Sequence, residues 1–324
     1  MAVMSYLDAA RIGLAEEMRR DPKVWALGED LGRGGVFGQY RGLVEEFGSD
    51  RISDAPISEA AILGAAVGAA MLGTRPVVEM RFSDFALCAM DELINQAAKA
   101  RFMLGGQARV PLVVREPIGM WRSSAAQHSQ SLEAWYAHVP GLVVVCPATP
   151  ADNRGLLKAA IRCDDPVVYM EHKGLWPLEG EVPEGDETVE IGKARIAREG
   201  RDVTIVSWSA QVHVAEKAAN ALAQDGIDAE VIDLRTIWPW DKAAVFASIE
   251  KTGRLLVAQE AVSVAGFGAE IAATVAERYG RELKAPVRRL GSPRAPIAYA
   301  PPLEDALRVS ADAIAAAAKA LVRG

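Results

Sequence analysis

The sequence is poor in the residues that most often announce a metal or disulfide site: its 324 residues include three cysteines and four histidines. Cys88, Cys146 and Cys163 are odd in number, far apart and form no CxxC pair. A disulfide framework and a zinc site are thereby excluded, and buried, reduced thiols in a cytoplasmic protein are expected. His128, His138, His172 and His213 do not fall at metal-ligand spacing. Walker A, GxSxG and HExxH sequences are missing, which removes the self-sufficient nucleotide enzyme, the serine hydrolase and the zinc peptidase. The glycine-rich stretch 32–38 does not lead from a strand into a GxGxxG helix start. Gly266-Phe267-Gly268 begins a dinucleotide fingerprint, but Ile271 stands where a third glycine would let helix and strand close up. Long hydrophobic runs are also lacking. The longest, residues 60–73, falls short of the ~20 residues a bilayer crossing needs. Asp8, Glu16 and Glu17 interrupt the first 21 residues, so a signal peptide is not expected. A net charge of −7 with no basic cluster argues against a nucleic-acid partner.

What is present is a globular composition, 50% hydrophobic and 24% charged, on a chain long enough for two domains. Leu7, Ala10, Leu14 and Met18 recur at helical spacing and predict an N-terminal amphipathic helix. Short β-branched runs at 77–78, 110–114, 142–145 and 167–170 alternate with helical stretches such as 91–102 and 151–161. Apolar strands alternating with helices indicate an α/β fold with a mostly parallel sheet covered on both faces. Residues 173–193 are rich in Pro, Gly and acids and read as a connection between domains. After them the α/β rhythm resumes: strands at 203–207, 230–233, 255–258 and 287–290, helices at 212–224, 240–251, 266–279 and 309–321. The expected layout is a first domain over 1–180, a linker over 181–194 and a smaller second domain over 195–324.

Two segments carry candidate chemistry. Pro56-Ile57-Ser58-Glu59 precedes a run of small residues at 60–70, with Ser58 a plausible N-cap and Glu59 in the first turn. Gly64 and Gly68 share one face, each weakening the helix by ~1 kcal/mol relative to alanine, so close approach by something else is expected there. Glu59 has two readings. An acid in a first turn favours the helix dipole and need touch nothing. An acid in an apolar cleft could instead share a proton with a ligand. The second segment is Ser123-Ser124-Ala125-Ala126-Gln127-His128-Ser129-Gln130-Ser131, at the carboxyl end of a strand, where open α/β sheets place ligand sites. His128 there is either a surface residue or a proton shuttle.

Ile57-Ser58-Glu59-Ala60, Asn95-Gln96-Ala97-Ala98-Lys99, Ala126-Gln127-His128-Ser129-Gln130-Ser131, Pro140-Gly141-Leu142, Glu171-His172-Lys173 and Asp233-Leu234-Arg235-Thr236 follow one another in this order. Each motif is weak, but the ordered set resembles the β subunit of the thiamine-diphosphate-dependent first component of 2-oxo acid dehydrogenase complexes, over essentially the whole chain. The resemblance implies two three-layer α/β domains, a pyrimidine-binding fold followed by a smaller transketolase C-terminal-like domain. It implies two α and two β chains with thiamine diphosphate between them, and a lipoyl-bearing core acyltransferase as further partner. Glu59 would hydrogen-bond the aminopyrimidine ring, with Ile57 beside it and Phe85 packing on the ring. His128 would face the same site and guide the acyl group to the lipoyl arm. No Gly-Asp-Gly occurs, so the α subunit would hold Mg²⁺ and the diphosphate. Some relatives bind K⁺ through main-chain carbonyls; the matching positions are Leu112, Ala160, Ile161, Cys163 and Asp165.

Where many relatives have a glycine-rich loop, this chain reads Glu116-Pro117-Ile118-Gly119-Met120-Trp121-Arg122. Arg122, with Trp121 and Gln127, could receive a substrate anion, or Arg122 could make a structural salt bridge. Phe85, Cys88 and Met103-Leu104-Gly105-Gly106 resemble acetoin-cleaving relatives. Pyruvate, branched-chain 2-oxo acids and acetoin all stay open as substrates. The alternatives are a split transketolase acting on sugar phosphates and a non-catalytic α/β interaction protein.

Overall fold

The computed structural model describes residues 1–324, which divide into two compact units: Met1–Ile118 with Trp135–Ile191, and Gly119–Ala134 with Gly192–Gly324. The chain therefore leaves the first unit at Ile118, gives residues 119–134 to the second and returns. The linear division expected from the sequence does not contain that excursion.

In the first unit, parallel strands lie in the order Val143–Val145, Val167–His172, Val113–Ile118, Arg75–Glu79, Val24–Gly28, Ile52–Asp54. Val77, Val113 and Val167 stand in register, as do Val78, Val114 and Val168. Alternation sends the first set to one face and the second to the other, which is why these strands read as unbroken apolar runs. The first face packs on helices Tyr6–Arg20 and Pro150–Arg162, through Leu14, Met18, Leu156 and Leu157. Helix Glu59–Met71 belongs to the same unit and buries Ile62, Leu63, Ala66 and Val67.

Some local expectations need correction. The strand foreseen at 110–114 runs Val113–Ile118, carrying Arg115 and Glu116 inside it. The helical stretch 91–102 opens as a wide π-helix, Asp91–Ala97, before the α-helix Ala98–Met103. The connection expected over 173–193 starts as structure: Glu179–Val182 pairs antiparallel with Ala2–Ser5. Ser58 occupies the N-cap position but does not cap; its hydroxyl donates to the Pro56 carbonyl at 2.9 Å.

The second unit has a five-stranded sheet in the order Arg288–Ser292, Leu255–Val262, Val203–Ser207, Ala229–Asp233, Arg195–Arg198. Only the last strand is antiparallel. Helices Gln211–Gln224, Lys242–Thr252, Gly268–Tyr279 and Ala311–Arg323 accompany it, and Pro301–Leu307 adds one not foreseen. The Gly266/Gly268 pair makes room for a side chain, not a nucleotide. Gly268 N–H donates to Gln259 Oε1 at 2.8 Å, and a Cβ on Gly266 would lie 1.9 Å from Gln259 Nε2. No helix is long and apolar enough to cross a membrane.

Candidate active site

Glu59 is the first residue of its helix and is half-buried. It makes no hydrogen bond or ion pair within the chain. Ile57, two residues earlier, is 77% exposed. Along the same helix Ala61, Gly64, Ala65, Gly68, Met71 and Leu72 are all exposed. The glycines are not required by packing inside this chain. A Cβ on Gly68 would meet nothing within 4 Å, and one on Gly64 would touch Glu92 Cγ at an ordinary 3.5 Å. The stripe costs helix stability without serving packing inside the chain.

Phe85 is half-buried and held edge-on by Phe82, 5.3 Å between centroids. Phe82 receives Phe37 edge-on at 6.0 Å, and the Lys173 ammonium lies 4.7 Å from its ring centre. Phe37 in turn lies against Trp176 at 4.5 Å. An aromatic shelf with a fixed cation therefore backs Phe85.

The buried charges of the central strand are what the sequence reading missed. On one face, Arg115 pairs with Glu171 at 2.5 Å and lies 3.5 Å from Glu79, all three buried. Glu79 is pushed up to about 7 by burial, against the pull of Arg115, and accepts from Tyr40 OH at 3.1 Å. On the other face Glu116 is fully buried, and neither carboxyl oxygen has a partner at hydrogen-bonding geometry. Burial, followed by the facing Ser83 and Tyr136 hydroxyls that oppose it and the Asp84 charge that adds to it, leaves Glu116 at about 8. Charged residues within an apolar strand were the available signal, since such groups are rarely buried without cause.

The expected loop residues all lie in the second unit. Trp121 is half-buried, Arg122 and Gln127 are exposed, and His128 is half-buried. Arg122 (φ 47°), Ser123 (φ 55°) and Ala125 (φ 63°) are held in the left-handed region, a cost of order 1–3 kcal/mol each. The loop is pinned from within its own unit. Met120 N–H donates to Glu260 at 2.7 Å, Ser123 N–H donates to Glu304 at 2.7 Å, and Arg308 donates to the Met120 carbonyl at 2.9 Å. Trp208 Nε1–H donates to Glu133 at 2.9 Å. Nothing in the sequence links Glu260, Glu304 or Arg308 to this loop. Arg122 makes no ion pair; its guanidinium lies 4.8 Å from the Trp121 ring centre.

The remaining motifs are largely structural staples. Lys99 Nζ donates to the Pro140 carbonyl at 2.7 Å, and a Cβ on Gly141 (φ 104°) would lie 1.9 Å from the Ala98 carbonyl oxygen. His172 Nδ1 accepts from Gly174 N–H at 3.0 Å. Asp233 accepts from Arg195 at 3.1 Å and from Arg235 N–H at 3.0 Å.

Four of the five carbonyls matched to K⁺ accept hydrogen bonds within the chain. Those of Ile161 and Cys163 accept from Arg75 Nη1 at 3.0 and 2.9 Å. That of Leu112 accepts from Val167 N–H at 2.8 Å, and that of Ala160 from Cys163 N–H at 3.2 Å.

Residues 2–179 match the transketolase pyrimidine-binding domain model and residues 192–314 the transketolase C-terminal domain model. The chain is 45% identical to the 2-oxoisovalerate dehydrogenase subunit beta of Bacillus subtilis, covering 99% of each. It is 46% identical to the acetoin:2,6-dichlorophenolindophenol oxidoreductase subunit beta of Cupriavidus necator, over 95% of this chain and 94% of that one. It is 45% identical to a mitochondrial pyruvate dehydrogenase E1 component subunit beta-2 of Oryza sativa, over 98% and 85%. Among solved structures, a split-gene transketolase described as an inactive beta4 tetramer superposes with a TM-score of 0.79 at 22% identity, covering 99% and 98%. That last likeness concerns the fold. The chain belongs to the transketolase-like family of 2-oxo acid and acetoin dehydrogenase β subunits.

Proposed function

We propose that this chain is the β half of a two-α, two-β thiamine-diphosphate enzyme that decarboxylates a 2-oxo acid, or cleaves acetoin, and passes the acyl group to a lipoyl arm. The observation that carries the reading is Glu59: a carboxylate left without any partner of its own chain, at the head of a helix whose exposed face carries Ala61, Gly64, Ala65 and Gly68 before it reaches Met71. When bound, thiamine diphosphate supplies the carbanion and the electron sink for breaking the bond beside the carbonyl. Glu59 holds and moves a proton on the pyrimidine side. Ile57 and Phe85 give that ring an apolar seat. His128 serves as the proton shuttle for the transferring group. Arg122, lying on Trp121 and free of any carboxylate, receives the substrate's anionic end, with Gln127 beside it.

The partner requirement follows from charge. A diphosphate needs Mg²⁺, yet the sequence has no Gly-Asp-Gly to hold it. The α chain supplies both, docking on the Ala61, Gly64, Ala65 and Gly68 stripe.

Reconstitution with an α-type chain tests the reading. The pair is expected to reduce an artificial electron acceptor with a 2-oxo acid or acetoin and to acylate a lipoyl domain. Turnover confined to ketose phosphates would contradict it.

A further inference from the structure

The Pro150–Arg162 helix ends against the start of the Val167–His172 strand, and its last carbonyls point into the turn between them. A helix C-terminus carries partial negative charge and attracts a cation. Here the cation is a side chain. Arg75, the first residue of its strand, sends Nη1 to the carbonyls of Ile161 and Cys163 and Nη2 to Asp164 Oδ1 at 2.7 Å. The same turn is braced by Arg101, whose Nη1 bonds both carboxylate oxygens of Asp165 at 2.7 and 2.8 Å, and by Arg109 on Asp164. Asp21 faces Arg75 Nε from the far side at 3.9 Å.

We infer that Arg75 takes the place of the monovalent cation at this turn, so that the protein is built to be independent of K⁺. A K⁺ ion shared by the Ile161 and Cys163 carbonyls would have to sit against a guanidinium that already donates to both of them. Two positive charges in one carbonyl cradle repel each other, and the covalently tethered one gives up only rotamer freedom on taking its place. Carbonyl oxygens can accept twice, so the backbone bonds at Leu112 and Ala160 are no obstacle in themselves. The obstacle is the charge of Arg75. Asp164, bonded by Arg75 Nη2 at 2.7 Å, holds that charge in place.

The test is thermal unfolding of the full-length chain, alone and with its α partner, in KCl and in choline chloride at matched ionic strength. The wild-type protein is expected to show the same Tm in both salts at every concentration. Arg75→Met opens the carbonyl cradle; its Tm falls by several degrees and is restored in part by K⁺, saturably, and not by choline. Arg75→Lys, kept for the case in which Arg75→Met does not fold, stays indifferent to K⁺ because the tethered charge survives. A saturable, K⁺-specific rise in the wild-type Tm would overturn the inference, and so would an Arg75→Met protein that folds but ignores K⁺.

Discussion

Glu59 and Glu116 are both acids in one unit, and the structure treats them in opposite ways. Glu59 is half-buried and uncommitted, so removing its charge should leave the fold alone. Glu59→Gln is expected to keep the wild-type Tm and to slow thiazolium proton exchange in the reconstituted enzyme by on the order of 10²-fold, the usual scale for a lost proton-transfer group. Proton–deuterium exchange followed by NMR reads this. Glu116 is sealed among Ser83, Asp84 and Tyr136 and sits at about 8. Its folded value exceeds the unfolded one, so as pH rises from about 4.5 to 8 the unfolded chain releases the proton while the native chain keeps it. Stability therefore falls across that window, by on the order of 3 kcal/mol. Glu116→Gln should raise the Tm more at pH 8 than at pH 5.5, and an equal shift at both would refute the assignment. Glu59 was legible because an acid before a run of small residues stands out. Glu116 was noticed only as an oddity of the loop, because a strand's facing residues come from distant segments, here 83–84 and 136.

The elements were legible where one residue class dominated. Val143–Val145 and Val167–His172 announce themselves as apolar runs, and Tyr6–Arg20 by its spacing. The antiparallel pair Ala2–Ser5 with Glu179–Val182 mixes polar and apolar residues, so its strand character depends on pairing across the fold. The Pro140-Gly141-Leu142 motif shows the same dependence: its glycine is explained only once Ala98 is seen against it. Gly141→Ala combines a forbidden φ with a backbone clash and should cost ~2–4 kcal/mol, measurable as a lower denaturant midpoint. Gly68→Leu should do the reverse of what a core change does. It adds bulk where a Cβ meets nothing in this chain, so the isolated chain should keep its midpoint, while sedimentation should show loss of association with the α chain.

At the scale of the molecule, two α/β units were legible from rhythm, and the family from six short motifs in order. The crossing of residues 119–134 into the second unit was not, because it rests on Glu260, Glu304 and Arg308, more than a hundred residues downstream. In the proposed function this chain is a half-site: it brings Glu59 to one end of the cofactor and leaves the diphosphate to a partner. The direct measurement is calorimetric binding of thiamine diphosphate with Mg²⁺ to this chain, to the α chain and to their mixture. Tight binding by the mixture is expected, and no measurable binding by this chain alone. Saturable binding to the isolated chain with the affinity of the mixture would contradict it.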